Sequence, residues 1–188
     1  MKSTMEYRDK RFALVLVDIQ KKFGYSTDGL RRSTGLHLER VNEAIRLFRG
    51  TGNPIIYVMY EGEGHEEVKV EDGDSLVDGL LPPTDGDFVV WKTGMNSFRN
   101  PELAETLDRL GCDHILIAGM VAQYCVLATY FGAFDKDISP YMLEGGLMAT
   151  DEINVDMVEK LCKTLNPAEM AENVLFKVWS SEWWSGPE

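Results

Sequence analysis

Three polar residues follow predicted buried strands and could together carry out nucleophilic chemistry. The first strand ends at Asp18, the third reaches Lys92, and the fourth leads into the segment that carries Cys125. In an open parallel sheet, ligands bind beyond the carboxyl ends of the strands. We therefore expect a carboxylate, an ammonium group and a thiol to converge at one edge of the sheet.

These three groups have the properties of a nucleophile, its base and an orienting cation. Cys125 falls near the start of a predicted helix, where unpaired backbone N–H groups and the helix dipole favour the thiolate. The same N–H groups can stabilise an oxyanion when a carbonyl carbon is attacked. Asp18 can take the thiol proton and pass it to a leaving amine, while Lys92 balances its charge. The set predicts acyl transfer.

Simpler interpretations of the same residues stay open at this stage. A cysteine in an apolar helix is more often a small buried hydrophobe than a nucleophile, and we keep that interpretation for Cys112 and Cys162. Asp18 could be a helix cap or turn residue, and Lys92 a surface charge. Their coincidence at one sheet edge favours the catalytic interpretation.

Other catalytic arrangements find less support in the sequence. A cysteine–histidine pair is poorly supported because His114 opens the fourth strand, at the wrong end of the sheet, and His37 and His65 lie in connecting segments. Zinc needs several suitably spaced ligands, and around His65 only glutamates stand nearby. Neither a Gly-x-Gly-x-x-Gly motif after the first strand nor a phosphate-binding loop occurs. We predict neither a metal nor a cofactor.

The elements that must position these residues alternate along the chain. Buried strands are predicted at 12–17, 54–60, 87–91 and 114–119, with weaker candidates at 139–143 and 173–177. Helices are predicted at 38–52, 101–111 and 155–165. This alternation indicates an α/β fold with a parallel sheet, helices on both sides and right-handed crossovers.

Two segments interrupt the alternation. Residues 61–86 are acidic, rich in glycine and proline and long for a connection, which is typical of a lid, a binding loop or an oligomer contact. The tail at 178–188 places Trp179, Trp183 and Trp184 in a polar setting. Docking of the tail on its own domain and a contact between subunits are both open interpretations.

The composition is that of one soluble globular domain spanning 1–188, with 44% apolar and 27% charged residues. The net charge of −12 disfavours binding to nucleic acid or to anionic membranes. A run of about 18 apolar residues, which a membrane span requires, is missing from the sequence, and the N-terminus lacks the apolar core of a secretory signal. Three cysteines cannot all pair, so we expect a cytoplasmic protein with reduced thiols.

Around the three candidate residues the chain resembles the isochorismatase-like cysteine hydrolases, a superfamily that contains nicotinamidases, N-carbamoylsarcosine amidohydrolases and isochorismatases. The resemblance spans roughly residues 11 to 150. DIQKKF is similar to the family's Asp-x-Gln-x-x-Phe, KTGMNSF to its lysine segment ending in Ser-Phe, and GMVAQYCV to its Gly-x-x-Thr-x-x-Cys-Val. The three fragments occur in the family's order and follow the expected strands.

The resemblance implies a Rossmann-like, three-layer α/β/α sandwich with a central, mostly parallel sheet of about six strands. It assigns Asp18 as the general base, Lys92 as its partner and Cys125 as the nucleophile that forms an acyl enzyme. It also implies a cis peptide bond between Met120 and Val121, and an oxyanion hole formed by the backbone N–H groups of Val121 and Cys125. Relatives commonly assemble into dimers or larger oligomers, so we expect a homo-oligomer.

The sequence departs from the family pattern at several points. Nicotinamidases carry an Asp-x-His and a later His for a metal after the second strand, where this chain reads YEGEGHEEVKV, so we expect no such metal site. Ala122 replaces the family threonine, and Gly145 replaces an aspartate common after the fifth strand. Isochorismatases that cleave a vinyl ether often lack the cysteine, and the retention of Cys125 argues against that branch.

We therefore predict a metal-independent cysteine hydrolase that cleaves the C–N bond of a small amide or carbamoyl substrate through an acyl-cysteine intermediate. Phe23, Trp91 and Tyr124 are expected to line the substrate pocket, although core packing accounts nearly as well for Phe23 and Trp91. The alternatives are a vinyl ether hydrolase of the isochorismatase type and a non-catalytic binding or scaffold protein on the same fold. The sequence leaves open whether the substrate carries a carboxylate.

Overall fold

The computed structural model describes residues 11–62, 70–166 and 169. Its strands are β1 (Phe12–Val17), β2 (Ile55–Tyr60), β3 (Phe88–Lys92), β4 (His114–Met120), β5 (Ser139–Met148) and β6 (Thr164–Leu165). Its α-helices are α1 (Lys21–Gly24), α2 (Asp28–Gly50), α3 (Pro101–Arg109), α4 (Leu127–Phe134) and α5 (Glu152–Leu161). A 3-10 turn at Ser97–Arg99 precedes α3, and a wide π-type turn at Ala122–Val126 precedes α4.

The strands pair in parallel in the order β3-β2-β1-β4-β5-β6. The chain runs outward from β1 through β2 to β3, and then crosses by way of α3 to β4 on the other side of β1. Connections therefore leave in opposite directions at the carboxyl ends of β1 and β4, which is where such sheets form a ligand crevice. Asp18 follows β1 and the turn with Cys125 follows β4, so the fold places both residues at this crevice.

Alternate residues of β1 belong to two different apolar cores. Leu14 and Leu16 pack in the core that includes the buried face of α2, whereas Val15 and Val17 pack in the core formed with α3, α4 and α5. A strand buried on both faces reads as a continuous apolar run, as FALVLV does. The two cores confirm the predicted α/β fold with helices on both sides of the sheet.

The predicted bounds of the strands agree with the structure for the four continuous apolar runs. β1 to β4 begin and end within one residue of their predicted bounds. β5 continues to Met148, five residues past its predicted end. Its pairing with β4 shifts register between Met142 and Leu147, where Gly145 has a φ of +72°, and the strand continues after this irregularity. The candidate strand at 173–177 lies outside the described residues. The short β6 was predicted as the end of a helix, and that prediction was wrong.

The largest difference between a predicted helix and the structure is at the start of α2. α2 begins at Asp28, ten residues earlier than predicted, and Thr27 caps it by accepting a hydrogen bond from the Leu30 N–H. Two glycines and several polar residues in this first part obscure the apolar period. α5 begins at Glu152 and ends at Leu161 rather than spanning 155–165. Among the helices that the structure describes, none combines the length and apolar character that crossing a bilayer requires.

A side chain at Gly119 should destabilise the pairing of β1 and β4. Gly119 has a φ of +130°, and a Cβ there would lie 2.1 Å from the carbonyl oxygen of Val17. Gly119→Ala should therefore lower the free energy of unfolding by more than about 2 kcal/mol in urea denaturation. Gly35→Ala is the matched control, because a Cβ at this position in α2 would meet nothing within 4 Å. Equal stability of the two variants would contradict the argument.

Candidate active site

The structure brings Asp18, Lys92 and Cys125 together at the carboxyl edge of the sheet. Asp18 follows β1 directly, Lys92 is the last residue of β3, and Cys125 lies in the turn after β4. Asp18 and Cys125 line one cavity, and Lys92 forms an ion pair with Asp18. The convergence expected from the sequence is therefore present.

Asp18 is a buried carboxylate with an incomplete set of partners. Its backbone has a φ of +54°, which residues other than glycine rarely adopt. The Nζ atom of Lys92 lies 2.8 Å from Oδ2, and both side chains are 1% exposed. Within the described part of the chain, neither carboxylate oxygen receives a well-aligned hydrogen bond. Burial raises the pKa of Asp18 against the opposing effect of Lys92, which makes the carboxylate a stronger base.

Lys92 is held from three sides. Besides the ion pair with Asp18, its Nζ atom donates to the carbonyl oxygen of Met95 at 2.9 Å and lies 5.7 Å from the centre of the Tyr60 ring. The segment that follows is anchored to α4 by a hydrogen bond of 2.7 Å between the hydroxyl groups of Ser97 and Thr129. The ammonium group therefore has a defined position beside Asp18.

The thiol of Cys125 is protonated in the resting state. Burial, followed by the charge of Asp18, raises its pKa to about 12, and Lys92 offsets only part of this increase. The expectation that the helix start would favour a resting thiolate is therefore wrong, because the sulfur is partly buried beside a carboxylate. A neutral thiol must lose its proton as it attacks, and Asp18 is the neighbouring base that can accept it.

The turn that carries the thiol contains a cis peptide bond between Met120 and Val121, as the resemblance implies. After this bond, the carbonyl oxygen of Val121 accepts hydrogen bonds from the N–H groups of Tyr124 at 2.9 Å and Val126 at 3.5 Å. The second of these spans five residues, so the turn is wider than an α-helical one. Ala122 is fully buried in the core beside α5. Val121 and Cys125 both line the cavity, where their N–H groups would have to meet an oxyanion.

The cavity beside Asp18 and Cys125 has a volume of about 380 Å³, which is within the range of small-ligand sites. Phe23 and Tyr124, two of the three predicted wall residues, line it. The other lining residues around the candidate catalytic pair are Leu30, Tyr60, Met95, Met120, Val121 and Thr150. The wall is therefore mostly apolar.

Trp91 lies outside this cavity, so its assignment to the pocket wall was wrong. Successive side chains of a strand point to opposite faces of the sheet. Because Lys92 is directed into the site, Trp91 is directed away from it and is 42% exposed. It lines a second cleft, which Lys92, Glu61 and Arg99 also border.

Sequence reasoning missed several residues of the cavity wall. Tyr60 ends β2, next to β1, so its position at the carboxyl end of a strand was a usable signal. Leu30 and Thr150 come from α2 and from the segment after β5, and no sequence pattern relates them. Their proximity depends on Gly29, where a Cβ would lie 2.1 Å from the carbonyl oxygen of Thr150.

The DIQKKF segment also holds the wall in place. Oε1 of Gln20 accepts from the N–H of Tyr60 at 2.7 Å, and its Nε2 donates to the carbonyl oxygens of Tyr60 and Asp74. Nζ of Lys22 donates to the carbonyl oxygens of Tyr60 at 2.7 Å and Gly62 at 2.8 Å, and to the carboxylate of Asp74. These bonds join the end of β2 and the later part of the long connection to the segment after β1.

The two described histidines have partners away from the thiol. His37 contacts the carbonyl oxygen of Gly145 at 3.0 Å and Glu152 at 2.7 Å. His114 pairs with Asp113 at the start of β4, and His65 lies outside the described residues. In the ranges 11–62 and 70–166, no three histidine, cysteine or acidic side chains lie close enough to hold a metal ion.

Residues 12–174 match the family model of the isochorismatase domain. The chain belongs to the isochorismatase family. A probable isochorismatase of Pseudomonas chlororaphis is 26% identical to this family member over 147 residues, which cover 71% of the chain and 70% of that protein. A ureidoacrylate amidohydrolase of Variovorax paradoxus is 34% identical over 80 residues, covering 43% of the chain and 31% of that protein.

Solved structures show that this isochorismatase-family hydrolase has the family fold. A cysteine hydrolase from Pseudomonas syringae superposes with a TM-score of 0.75 at 18% identity, covering 87% of the chain and 92% of that structure. An N-carbamoylsarcosine amidase from Thermoplasma acidophilum superposes with a TM-score of 0.69 at 23% identity, covering 83% and 95%. The expected isochorismatase-like fold is thereby confirmed.

Asp18→Asn should increase the reactivity of Cys125 towards iodoacetamide. The charge of Asp18 raises the pKa of the thiol and Lys92 lowers it, so removal of the carboxylate charge leaves the ammonium unopposed. Alkylation rates between pH 7 and 9 report the thiolate fraction and are measured by mass spectrometry of the Cys125 peptide. Asp113→Asn, at the opposite end of β4, is the control and should leave the rate unchanged. Slower alkylation of Asp18→Asn than of the unmodified chain would contradict this electrostatic account.

Proposed function

We propose that the chain is a metal-independent cysteine hydrolase that cleaves the C–N bond of a small amide or carbamoyl substrate through an acyl-cysteine intermediate. The observation that carries the proposal is the buried Asp18–Lys92 pair beside the thiol of Cys125, at a cavity of substrate size. The similarity to an amidohydrolase of Variovorax paradoxus supports a C–N bond as the target.

In the first step, Sγ of Cys125 attacks the carbonyl carbon of the substrate while its proton passes to Asp18. Because burial raises the pKa of the Asp18 carboxyl, this carboxylate is a better proton acceptor than an exposed one. The carbonyl oxygen gains a negative charge, and the backbone N–H groups of Val121 and Cys125 are the donors that we assign to it. Lys92 remains an ammonium group throughout and offsets the charge that Asp18 carries before the transfer.

In the second step, protonated Asp18 donates its proton to the leaving nitrogen, and the C–N bond breaks. Ammonia or an amine departs, and the acyl group stays on Cys125 as a thioester. Water then attacks the thioester carbonyl carbon while Asp18 again accepts a proton. The carboxylic or carbamic acid leaves, and the thiol regains the proton from Asp18.

A second candidate function is cleavage of a vinyl ether, since the Pseudomonas chlororaphis relative is named a probable isochorismatase. The two candidates differ in their need for the thiol. Amide hydrolysis as proposed forms a covalent bond to Cys125, whereas ether cleavage of this type would survive its loss. A scaffold without catalytic activity would turn over neither kind of substrate.

Cys125→Ala and Cys125→Ser should lower kcat/KM for any accepted amide by about a thousandfold or more, because they remove the nucleophile. Ammonia release from a panel of small amides measures the rate, and mass spectrometry of the unmodified chain should detect the acyl adduct on Cys125. Cys162→Ser is the matched control, since Cys162 follows the last residue of α5 and does not line the cavity. Full amidase activity in Cys125→Ala would refute the nucleophile assignment.

We also propose that the chain forms a homo-oligomer. Ile153, Met157 and Leu161 recur every four residues along one face of α5, and each is more than half exposed. An exposed apolar stripe of this kind is typical of an interaction surface.

Met157→Glu should lower the molar mass in solution relative to the unmodified chain, because it places a charge in the middle of this stripe. Light scattering coupled to size-exclusion chromatography measures the mass. Asn154→Glu adds the same charge to α5 outside the stripe and should have no effect. A monomeric unmodified chain would contradict the proposal.

A further inference from the structure

The ammonium group of Lys92 already has two protein partners and does not line the cavity. It lies between Oδ2 of Asp18, at 2.8 Å, and the carbonyl oxygen of Met95, at 2.9 Å. Breaking a buried ion pair leaves an uncompensated charge, which is strongly unfavourable. Lys92 is therefore committed to Asp18 and is not a partner for a negative group on the substrate.

The second nearby ammonium group, that of Lys22, is committed in the same way. A lysine has three N–H donors, and those of Lys22 have three acceptors at Tyr60, Gly62 and Asp74. Its Nζ atom also lies 5.9 Å from the centre of the Phe23 ring and 5.5 Å from that of Tyr60. Phe23 and Tyr60 line the cavity, whereas Lys22 does not.

The groups that do face the cavity disfavour a substrate carboxylate. Among its described lining residues there is no lysine, arginine or histidine, and Asp18 contributes a carboxylate of its own. A bound carboxylate would lose its hydration without gaining a cation among the described lining residues, and it would share the cavity with the carboxylate of Asp18. The net charge of −12 adds to this effect.

The remaining wall suits an apolar substituent. The rings of Phe23 and Tyr60 meet edge to face, with their centres 5.6 Å apart, and Leu30, Met95 and Met120 complete the apolar lining. In the proposed reaction the amide group lies beside Asp18 and Cys125, so the rest of the substrate would contact this apolar lining.

We infer that the cavity selects uncharged carboxamides with an aromatic or aliphatic group and rejects amides that carry a carboxylate. The inference rests on the proposed function and names the substrate class of the same site. Its physical cause is that Lys22 and Lys92 already hold protein partners and that no cation is among the described lining residues.

The test compares ligand pairs that differ only in a carboxylate. Benzamide is compared with its meta-carboxylate derivative, and hexanamide with the monoamide of adipic acid. Binding is measured by calorimetry on Cys125→Ala, which holds the ligand without hydrolysing it. The uncharged member of each pair should bind at least about tenfold more tightly, equivalent to about 1.4 kcal/mol. Equal or tighter binding of the carboxylates, or no binding of either member, overturns the inference.

A variant with an added positive charge tests whether the lack of a cation causes the rejection of carboxylates. Tyr124 lines the cavity and is 53% exposed, so Tyr124→Arg in the Cys125→Ala background adds a cation at its mouth. Binding of the meta-carboxylate relative to benzamide should rise at least about tenfold. Trp91→Arg, in the second cleft, and the uncharged Tyr124→Gln are the controls and should not change the ratio. An unchanged ratio in Tyr124→Arg overturns the inference.

Hydrolysis is measured separately, so that the proposed function can fail independently of the substrate class. If Cys125→Ala prefers benzamide but the unmodified chain releases no ammonia from it, the charge selection stands and the proposed amide hydrolysis is refuted. If the unmodified chain hydrolyses the carboxylate members as fast as the uncharged ones, the hydrolase function stands and the substrate class is refuted.

Discussion

The buried ion pair between Asp18 and Lys92 is the interaction on which the rest of the site depends. Both side chains are almost completely removed from water, and their charged atoms lie 2.8 Å apart. Removing one partner from such a pair typically costs about 3–5 kcal/mol, because the other charge is left without compensation. The two residues come from the ends of β1 and β3, so the pair also ties the centre of the sheet to its edge.

The two members of the pair act in opposite directions on the thiol of Cys125. Burial is the main cause that raises the pKa of the thiol, the charge of Asp18 raises it further, and Lys92 lowers it. Burial raises the pKa of Asp18 as well. In the proposed mechanism the proton stays on sulfur until a substrate carbonyl carbon is in place, and the carboxylate of Asp18 then receives it. The proposal thus couples acid–base chemistry to nucleophilic attack at one site.

The segment after β1 contributes both to the chemistry of the site and to the support of its wall. Asp18 faces the thiol, while Gln20 and Lys22 bind the end of β2 and the carbonyl and carboxyl groups of the long connection. The same bonds that hold Tyr60 in the wall use up the ammonium donors of Lys22. Among the described residues, the bonds that hold the wall of the cavity thus also keep Lys22 away from its lining.

Much of this arrangement was predictable from the sequence because it depends on local patterns. Continuous apolar runs indicated β1 to β4, and the positions of Asp18, Lys92 and Cys125 after three of these strands indicated a common edge of the sheet. The sequence also implied that neighbouring side chains of β3 point to opposite faces of the sheet. With Lys92 assigned to the site, this alternation would have excluded Trp91 from the pocket. The placement of Tyr60 at the end of β2 was a similar signal that the sequence contained.

Only the tertiary structure decided the features that depend on distance and burial. The approach of α2 to Thr150 at Gly29 joins residues that are far apart in the chain, and no periodicity relates them. The protonation of Cys125 depends on desolvation and on a carboxylate from another strand, whereas the sequence showed only a helix start. The engagement of both ammonium groups likewise requires partners from separate elements. Local sequence specifies the elements and their ends, while packing determines which charges meet and how much water they lose.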